Sequence, residues 1–208
     1  GAFAFLEKPC GVKDFLATVE RALQARASVM ENRRLKLETD RGDAAARMLV
    51  GVSAASDVLR ARVRAVARAS AEVLITGEPG TGTPKIAEVI HLLSGAVSRP
   101  FVKRSAAQLS AQDLGSALTD AKTGTLYLDD VTALTPAVQF ALLDALETGR
   151  DVRVLSGTSR DIEDEVAQGR FSTDLFYRLD LMRVHVPALR ERPEDIPVLF
   201  AHYVAQAC

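Results

Sequence analysis

The segment Gly77-Glu78-Pro79-Gly80-Thr81-Gly82-Thr83-Pro84 decides how the rest of the chain is read. It follows Val73-Leu74-Ile75-Thr76, a short apolar run with strand character, and precedes Ile86-Ala87-Glu88-Val89-Ile90-His91-Leu92-Leu93, which has helical period. A buried strand, a glycine-rich turn and a helix form the arrangement in which backbone N–H groups and a helix N-terminus face a phosphate. The glycines permit the tight curvature, and Pro84 falls in the first helical turn, where a missing N–H costs nothing. One position departs from the phosphate-cradling pattern, which carries lysine where this chain has Thr83. Lys85 is the nearest substitute, but a two-residue offset is about half a helical turn and directs its side chain away from Thr83. The backbone half of a phosphate site is therefore present and its cation is not. Alone, such a loop is an ordinary turn, so its meaning depends on what accompanies it.

Further strands are expected at Phe101–Lys103, Thr125–Leu128, Val152–Ser156 and Met182–Val186, each separated from the next by helical stretches. Apolar strands alternating with helices predict an α/β architecture with a parallel sheet covered on both faces. Leu126-Tyr127-Leu128-Asp129-Asp130 then reads as a central strand delivering acids to its C-terminal edge, where ligands bind in such sheets. With a phosphate loop upstream, Asp129 is a candidate to hold Mg²⁺ through water, and Asp130 to polarise an attacking water. Arg178, in Asp174-Leu175-Phe176-Tyr177-Arg178-Leu179, suits an arginine finger reaching a neighbouring subunit's nucleotide, or a surface ion pair. In the charged connection Pro187–Ile196, Glu194 and Asp195 are placed to favour the first turn of a following helix.

The chain has 208 residues, 48% of them hydrophobic, and a net charge of −1, the composition of an ordinary globular domain with a short appendage. Near-neutral charge gives no global reason for nucleic-acid or membrane binding, and Arg60, Arg62, Arg64 and Arg68 read as a solvated helix face. Cys10 and Cys208 lack metal-ligand spacing and imply no disulfide framework, which suits the cytoplasm. No run is long enough to cross a bilayer. Near the N-terminus, Phe3–Leu6 has strand character, and Leu16, Leu23, Met30 and Leu37 fall at heptad spacing on a long helical pattern. Arg26 and Arg33 interrupt the alternate seam. Both a dimerising helix and a helix packed on its own domain remain open. Thr39–Asp43 is the best linker candidate.

The ordered series Gly77–Gly82, Gly124-Thr125-Leu126-Tyr127-Leu128-Asp129-Asp130, Asp174–Leu179 and Leu189-Arg190-Glu191-Arg192 resembles the AAA+ domain of sigma-54-dependent bacterial response regulators. The resemblance implies an AAA+ P-loop nucleotide fold with a five-stranded parallel sheet, preceded by a receiver-tail strand and a long linker helix. It divides the chain into a receiver remnant at 1–27, a linker helix and dimerisation element at 28–48, the α/β core at 49–187 and the start of a helical lid at 188–208. Val50 and Gly51 match the motif near the adenine, and Lys8 resembles the receiver's phosphate-sensing lysine. Met30–Leu35 and Asp195–Phe200 look most like the subgroup controlling C4-dicarboxylate transport. Implied partners are ATP or ADP with Mg²⁺, further copies of the chain in a dimer or ring, and sigma-54 RNA polymerase. DNA would be bound only through a helix-turn-helix outside this chain.

The departures from that family pattern cluster around chemistry and output. Besides Thr83 and Pro84, Asp130 stands where the family has glutamate, Ser159 where it has a sensor asparagine, and Ser172 where it has the first finger arginine. Between Phe101 and Gly124 the family inserts a loop bearing GAFTGA that contacts sigma-54, and this chain passes without it. The expected function is thus a degenerate central module of such a regulator that binds nucleotide and self-assembles. The alternatives are an active Mg²⁺-dependent ATPase that remodels sigma-54 polymerase, and a non-functional fragment of one.

Overall fold

The computed structural model describes residues 43–149 and 151–207, together with Leu16, Thr18, Val19, Ala22, Leu23 and Arg26. The chain divides into a unit at 1–43 and a second at 44–208. In the first unit the described residues from Leu16 to Arg26 are helical, with Leu16 and Leu23 exposed. The expected strand at Phe3–Leu6, Lys8 and the heptad continuation through Met30 and Leu37 lie outside the described residues.

The second unit is built on a parallel sheet of β1 (Val73–Thr76), β2 (Phe101–Ser105), β3 (Thr125–Asp129), β4 (Arg153–Thr158) and β5 (Met182–His185). Its lateral order is β2-β3-β4-β1-β5, so β1 lies between β4 and β5. The central strands are buried along nearly their whole length, which explains why they read as continuous apolar runs and not as alternating ones. Each of the five strands expected between residues 73 and 186 is present, with ends shifted by at most two residues.

Eight helices accompany the sheet among the described residues: α1 (Ala44–Met48), α2 (Ala54–Ala67), α3 (Thr83–Leu92), α4 (Ala111–Asp120), α5 (Pro136–Glu147), α6 (Ile162–Ala167), α7 (Thr173–Leu179) and α8 (Ile196–Ala207). Local chemistry sets several of their starts. Ser53, Asp161 and Ser172 accept from backbone amides as N-caps, and Ser110 with Asp113 forms a reciprocal capping box on α4. One face of the sheet buries Leu74, Leu126, Leu128 and Val154 with residues of α4, α5, α6 and α7. The other buries Ile75, Tyr127, Leu155 and Val184 with α1, α2 and α3.

Three expectations change. Ala44–Met48, read as the end of the linker helix, is a short helix of the second unit with Ala44 and Ala45 buried. Arg60 is not on a solvated face, because its Nη1 donates to Leu49 O at 2.8 Å and Gly51 O at 3.0 Å. Asp195 does not sit on the surface of a helical first turn, for it is fully buried beneath Val52 and Ser53. The connection from β2 to β3 is a 3-10 turn at Ala106–Gln108 followed by α4, whose Leu114, Ala117 and Leu118 enter the core.

Candidate functional site

The cradle begins where β1 ends. Gly77 N donates to Thr158 O at 3.2 Å, which ties the first glycine to β4. A Cβ on Gly77 would lie 2.6 Å from Thr81 Oγ1, so the loop folds back on itself only with glycine there. Thr81 closes the turn, donating to Glu78 O from its amide at 3.1 Å and from its hydroxyl at 2.7 Å. Gly80 and Gly82 have φ of 85° and 91°, conformations that favour glycine. Gly82 is the N-cap of α3 and offers no side-chain cap. The amides of Gly80 and Gly82 meet no acceptor among the described residues, leaving donors at the positive end of α3.

A cavity of about 620 Å³ opens over this cradle, within the range of roughly 300–1,000 Å³ usual for small-molecule sites. Val50, Glu78, Pro79, Gly80, Thr81 and Gly82 line it, as the sequence suggests, whereas Gly51, Gly77, Thr83 and Pro84 do not. Gly51 serves another purpose: a Cβ there would lie 2.4 Å from Ser56 Oγ and 2.8 Å from Asp195 Oδ2. Lys85 does line the cavity, with its ammonium 3.4 Å from Glu88 Oε2. Sequence reading missed Arg190, Arg192, Phe200 and Tyr203, which close the cavity from the C-terminal side. Arg190 clasps the phosphate loop itself, its Nη1 donating to Glu78 Oε2 at 2.6 Å and its Nη2 to Oε1. That bond holds the Glu78 carboxyl below its ordinary range. Arg192 keeps its Nε buried without an acceptor among the described residues.

Asp129 and Asp130 emerge together at the end of β3 but face different partners. The Tyr127 hydroxyl lies 3.0 Å from Asp129 Oδ1 and 3.3 Å from Thr83 Oγ1, so the position read as a missing lysine is joined to the first acid through a tyrosine. Burial pushes the Tyr127 hydroxyl well above its ordinary range, which keeps it protonated as a donor. Lys103 on β2 brings its ammonium to 3.8 Å from Asp129 Oδ2. Asp130 has φ of 56°, unusual for a side chain other than glycine. Thr132 Oγ1 donates to Asp130 Oδ1 at 3.0 Å and lies 3.3 Å from Thr158 Oγ1. The hydroxyl that enters this network at the end of β4 is therefore Thr158, while Ser159 is exposed one residue beyond. Arg178 lies outside the cavity lining and donates through Nη2 to Leu146 O at 3.0 Å, capping the C-terminus of α5. Ser172, where the family pattern has arginine, caps α7.

The cavity walls are held by Asp195. Its Oδ1 accepts from Val52 N at 2.6 Å and Ser53 N at 2.7 Å, and its Oδ2 from Ser53 Oγ at 2.8 Å and Ser56 Oγ at 2.6 Å. Burial alone would raise this carboxyl, but the hydrogen bonds from Ser56, Ser53 and Val52 prevail and hold it at about 2, against an ordinary 3.8. A depressed carboxylate stabilises the fold above its unfolded pKa and loses that contribution as pH falls through its folded pKa. About 2.5 kcal/mol should therefore be fully present above about pH 4 and fade toward pH 2. Urea midpoints between pH 2 and 6 should show this slope in the wild type and a flatter one in Asp195→Asn.

A β2-β3-β4-β1-β5 parallel sheet with a glycine cradle after β1 and an acid pair after β3 is the P-loop fold of the AAA+ class. The chain belongs to the sigma-54 interaction domain family, whose model matches residues 50–189. It is 35% identical over 234 residues to the C4-dicarboxylate transport transcriptional regulatory protein DctD of Pseudomonas aeruginosa, a match covering 98% of this chain and 51% of that protein. It is 34% identical to the DNA-binding transcriptional regulator NtrC of Escherichia coli K12, covering 100% of this chain and 50% of the relative. The chain thus spans about half the length of the curated relatives it matches. Among solved structures, NtrX from Brucella abortus in complex with ATP superposes with a TM-score of 0.73 at 33% identity, covering 100% of this chain and 50% of that one. A P-loop NTPase domain of a sigma-54 transport activator from E. coli shares the fold at 23% identity, with a TM-score of 0.57 over 67% of this chain and 99% of that one. No helix among the described residues is long and apolar enough to cross a membrane.

Proposed function

We propose that this chain is the central AAA+ module of a cytoplasmic, two-component, sigma-54-type transcriptional regulator, binding ATP or ADP in the cavity over Gly77–Gly82 and impaired in hydrolysis and in sigma-54 remodelling. The observation that carries the impairment is the contact of Thr83 with Tyr127. A neutral hydroxyl pair occupies the place from which a lysine would neutralise the transferred phosphate. Nucleotide binding is supported by the free amides of the cradle, the unpaired Arg192 Nε, and the likeness to NtrX, solved with ATP and with ADP.

Loss of the polymerase-contacting loop is supported by the compact turn and helix joining β2 to β3. The span matched to DctD, 234 residues against 208 in this chain, also means that the relative carries residues within it that this chain lacks. Self-assembly is the reading for Arg178 and for the helical residues Leu16 and Leu23. Arg178 is exposed outside its own cavity, where a neighbour's site could receive it. DNA binding falls to a domain outside this chain.

The test pairs ATP affinity by calorimetry with phosphate release, on the wild type and on Thr83→Lys. The wild type should bind ATP with turnover at background, and the lysine variant should bind about tenfold tighter, the gain expected of one charge-assisted phosphate contact. Wild-type turnover above background and equal to that of the variant overturns the impairment. Absence of binding by both overturns the nucleotide site.

A further inference from the structure

Lys103, Tyr127, Asp129, Gly157 and Thr83 form a cluster at the C-terminal end of the sheet that a simple loss of the cradle lysine does not explain. Lys103 pairs in register with Tyr127, and Tyr127 with Leu155, so Lys103, Tyr127 and Gly157 project from one face of three adjacent strands. The Tyr127 hydroxyl reaches its position over Gly157, where a Cβ would lie only 2.2 Å from it. Glycine at 157 is what admits the hydroxyl between Thr83 and Asp129. The Lys103 ammonium stands 6.0 Å from the Tyr127 ring centroid and 3.8 Å from Asp129 Oδ2, with half of the lysine side chain exposed.

This set does not suit Mg²⁺. The ion demands near-octahedral oxygen ligands and gives up its water reluctantly. Asp129 offers an Oδ1 already engaged by a tyrosine donor and an Oδ2 beside an ammonium. Pro84, where the phosphate-loop pattern places a metal-bound hydroxyl, has no side-chain oxygen. No group of three or more His, Cys, Asp or Glu with metal-holding geometry occurs among the described residues.

We propose that the cavity over Gly77–Gly82 takes a nucleoside diphosphate or triphosphate without a divalent cation, Lys103, which with Asp129 lies outside the cavity lining, neutralising that carboxylate in the metal's stead. The inference rests on the nucleotide reading above and adds how its charge is balanced. With neither a cradle lysine nor a metal, an uncompensated Asp129 carboxylate would repel the incoming phosphates. Lys103 removes that repulsion, and its flexible stem leaves the ammonium free to turn a donor toward a phosphate oxygen. The cradle amides supply the remaining contacts.

The experiment titrates fluorescent N-methylanthraniloyl-ADP into the full chain, in EDTA and in Mg²⁺, for the wild type, Lys103→Ala and Lys103→Ala/Asp129→Asn. Thermal melts of each variant establish that it is folded. Wild-type affinity should agree within about twofold with and without Mg²⁺, Lys103→Ala should bind about tenfold more weakly in EDTA, and the double variant should recover most of that loss. Wild-type binding that collapses in EDTA overturns the metal-free site while leaving the nucleotide reading intact. Lys103→Ala binding as well as wild type in EDTA overturns the role of Lys103. No binding under any condition overturns the nucleotide reading and this inference with it.

Discussion

Replacing Asp195 with alanine should cost about 4 kcal/mol of stability, the scale set by stranding several buried donors at once. The carboxylate is fully buried and accepts from two backbone amides and two hydroxyls on the segment 52–56. Alanine leaves the Val52 and Ser53 amides without their acceptor, and neither can follow a partner elsewhere without unfolding the start of α2. Asparagine should cost less, because its carbonyl oxygen still accepts from the two amides, although its NH2 must then face the two serine hydroxyls. Denaturant midpoints at pH 7 measure both. A loss under about 1 kcal/mol for the alanine variant would mean that water replaces the carboxylate as acceptor. The nucleotide cavity should loosen in parallel, since Val50 and Arg192 flank this network and both line the cavity.

The parts of the fold that could be read in the sequence are those set by local pattern. Val73–Thr76 and Thr125–Leu128 are apolar runs of strand length bounded by polar residues or glycine, and they form strands where expected. Gly80 and Gly82 announced a cradle because only glycine tolerates their φ at no cost, and Pro84 announced the start of α3. What escaped depends on lateral order and long-range pairing. Asp195 looked like a favourable charge in a helical first turn, and nothing near it signals that its partners lie 142 residues away at Ser53.

Tyr127 escaped for a different reason. Inside Leu126-Tyr127-Leu128 it counts as one more apolar strand residue, and its hydroxyl acquires meaning only when β3 lies beside β4 and Gly157 makes room for it. Lys103 escaped with it, because β2 reads as an ordinary edge strand until its register places the ammonium beside Asp129. Ser159 was one residue from the hydroxyl that does join the acid's network, Thr158. A strand-end register error of one residue moves a side chain to the other face, so this is the expected size of mistake. The departures from the family pattern thus have structural counterparts: Ser172 caps a helix, and Thr83 joins a polar cluster.

Gly82→Val should abolish most nucleotide binding with a smaller loss of stability. Gly82 has φ of 91° and is the N-cap of α3, so its conformation sets the direction in which the first amides of that helix point. A β-branched side chain there is strained by roughly 1–3 kcal/mol, which the loop can relieve by rotating its peptide planes. That rotation turns the amides of Gly82 and Thr83 away from the cavity and dissolves the donor set at the positive end of the helix. Affinity for ADP should fall on the order of 100-fold, the equivalent of about 2.7 kcal/mol of lost phosphate contacts. The open space around Gly82 admits a Cβ, the nearest atom being Lys85 Cβ at 3.9 Å, so the effect comes from backbone conformation and not from collision. Gly82→Ala and Gly82→Asn separate these causes, because asparagine tolerates the left-handed region better than alanine or valine. The expected order of affinity is Gly, then Asn, then Ala, then Val. Equal affinities across the series, measured by fluorescence titration on folded protein, would show that the cradle amides do not carry the phosphate and that the cavity's arginines hold the ligand instead.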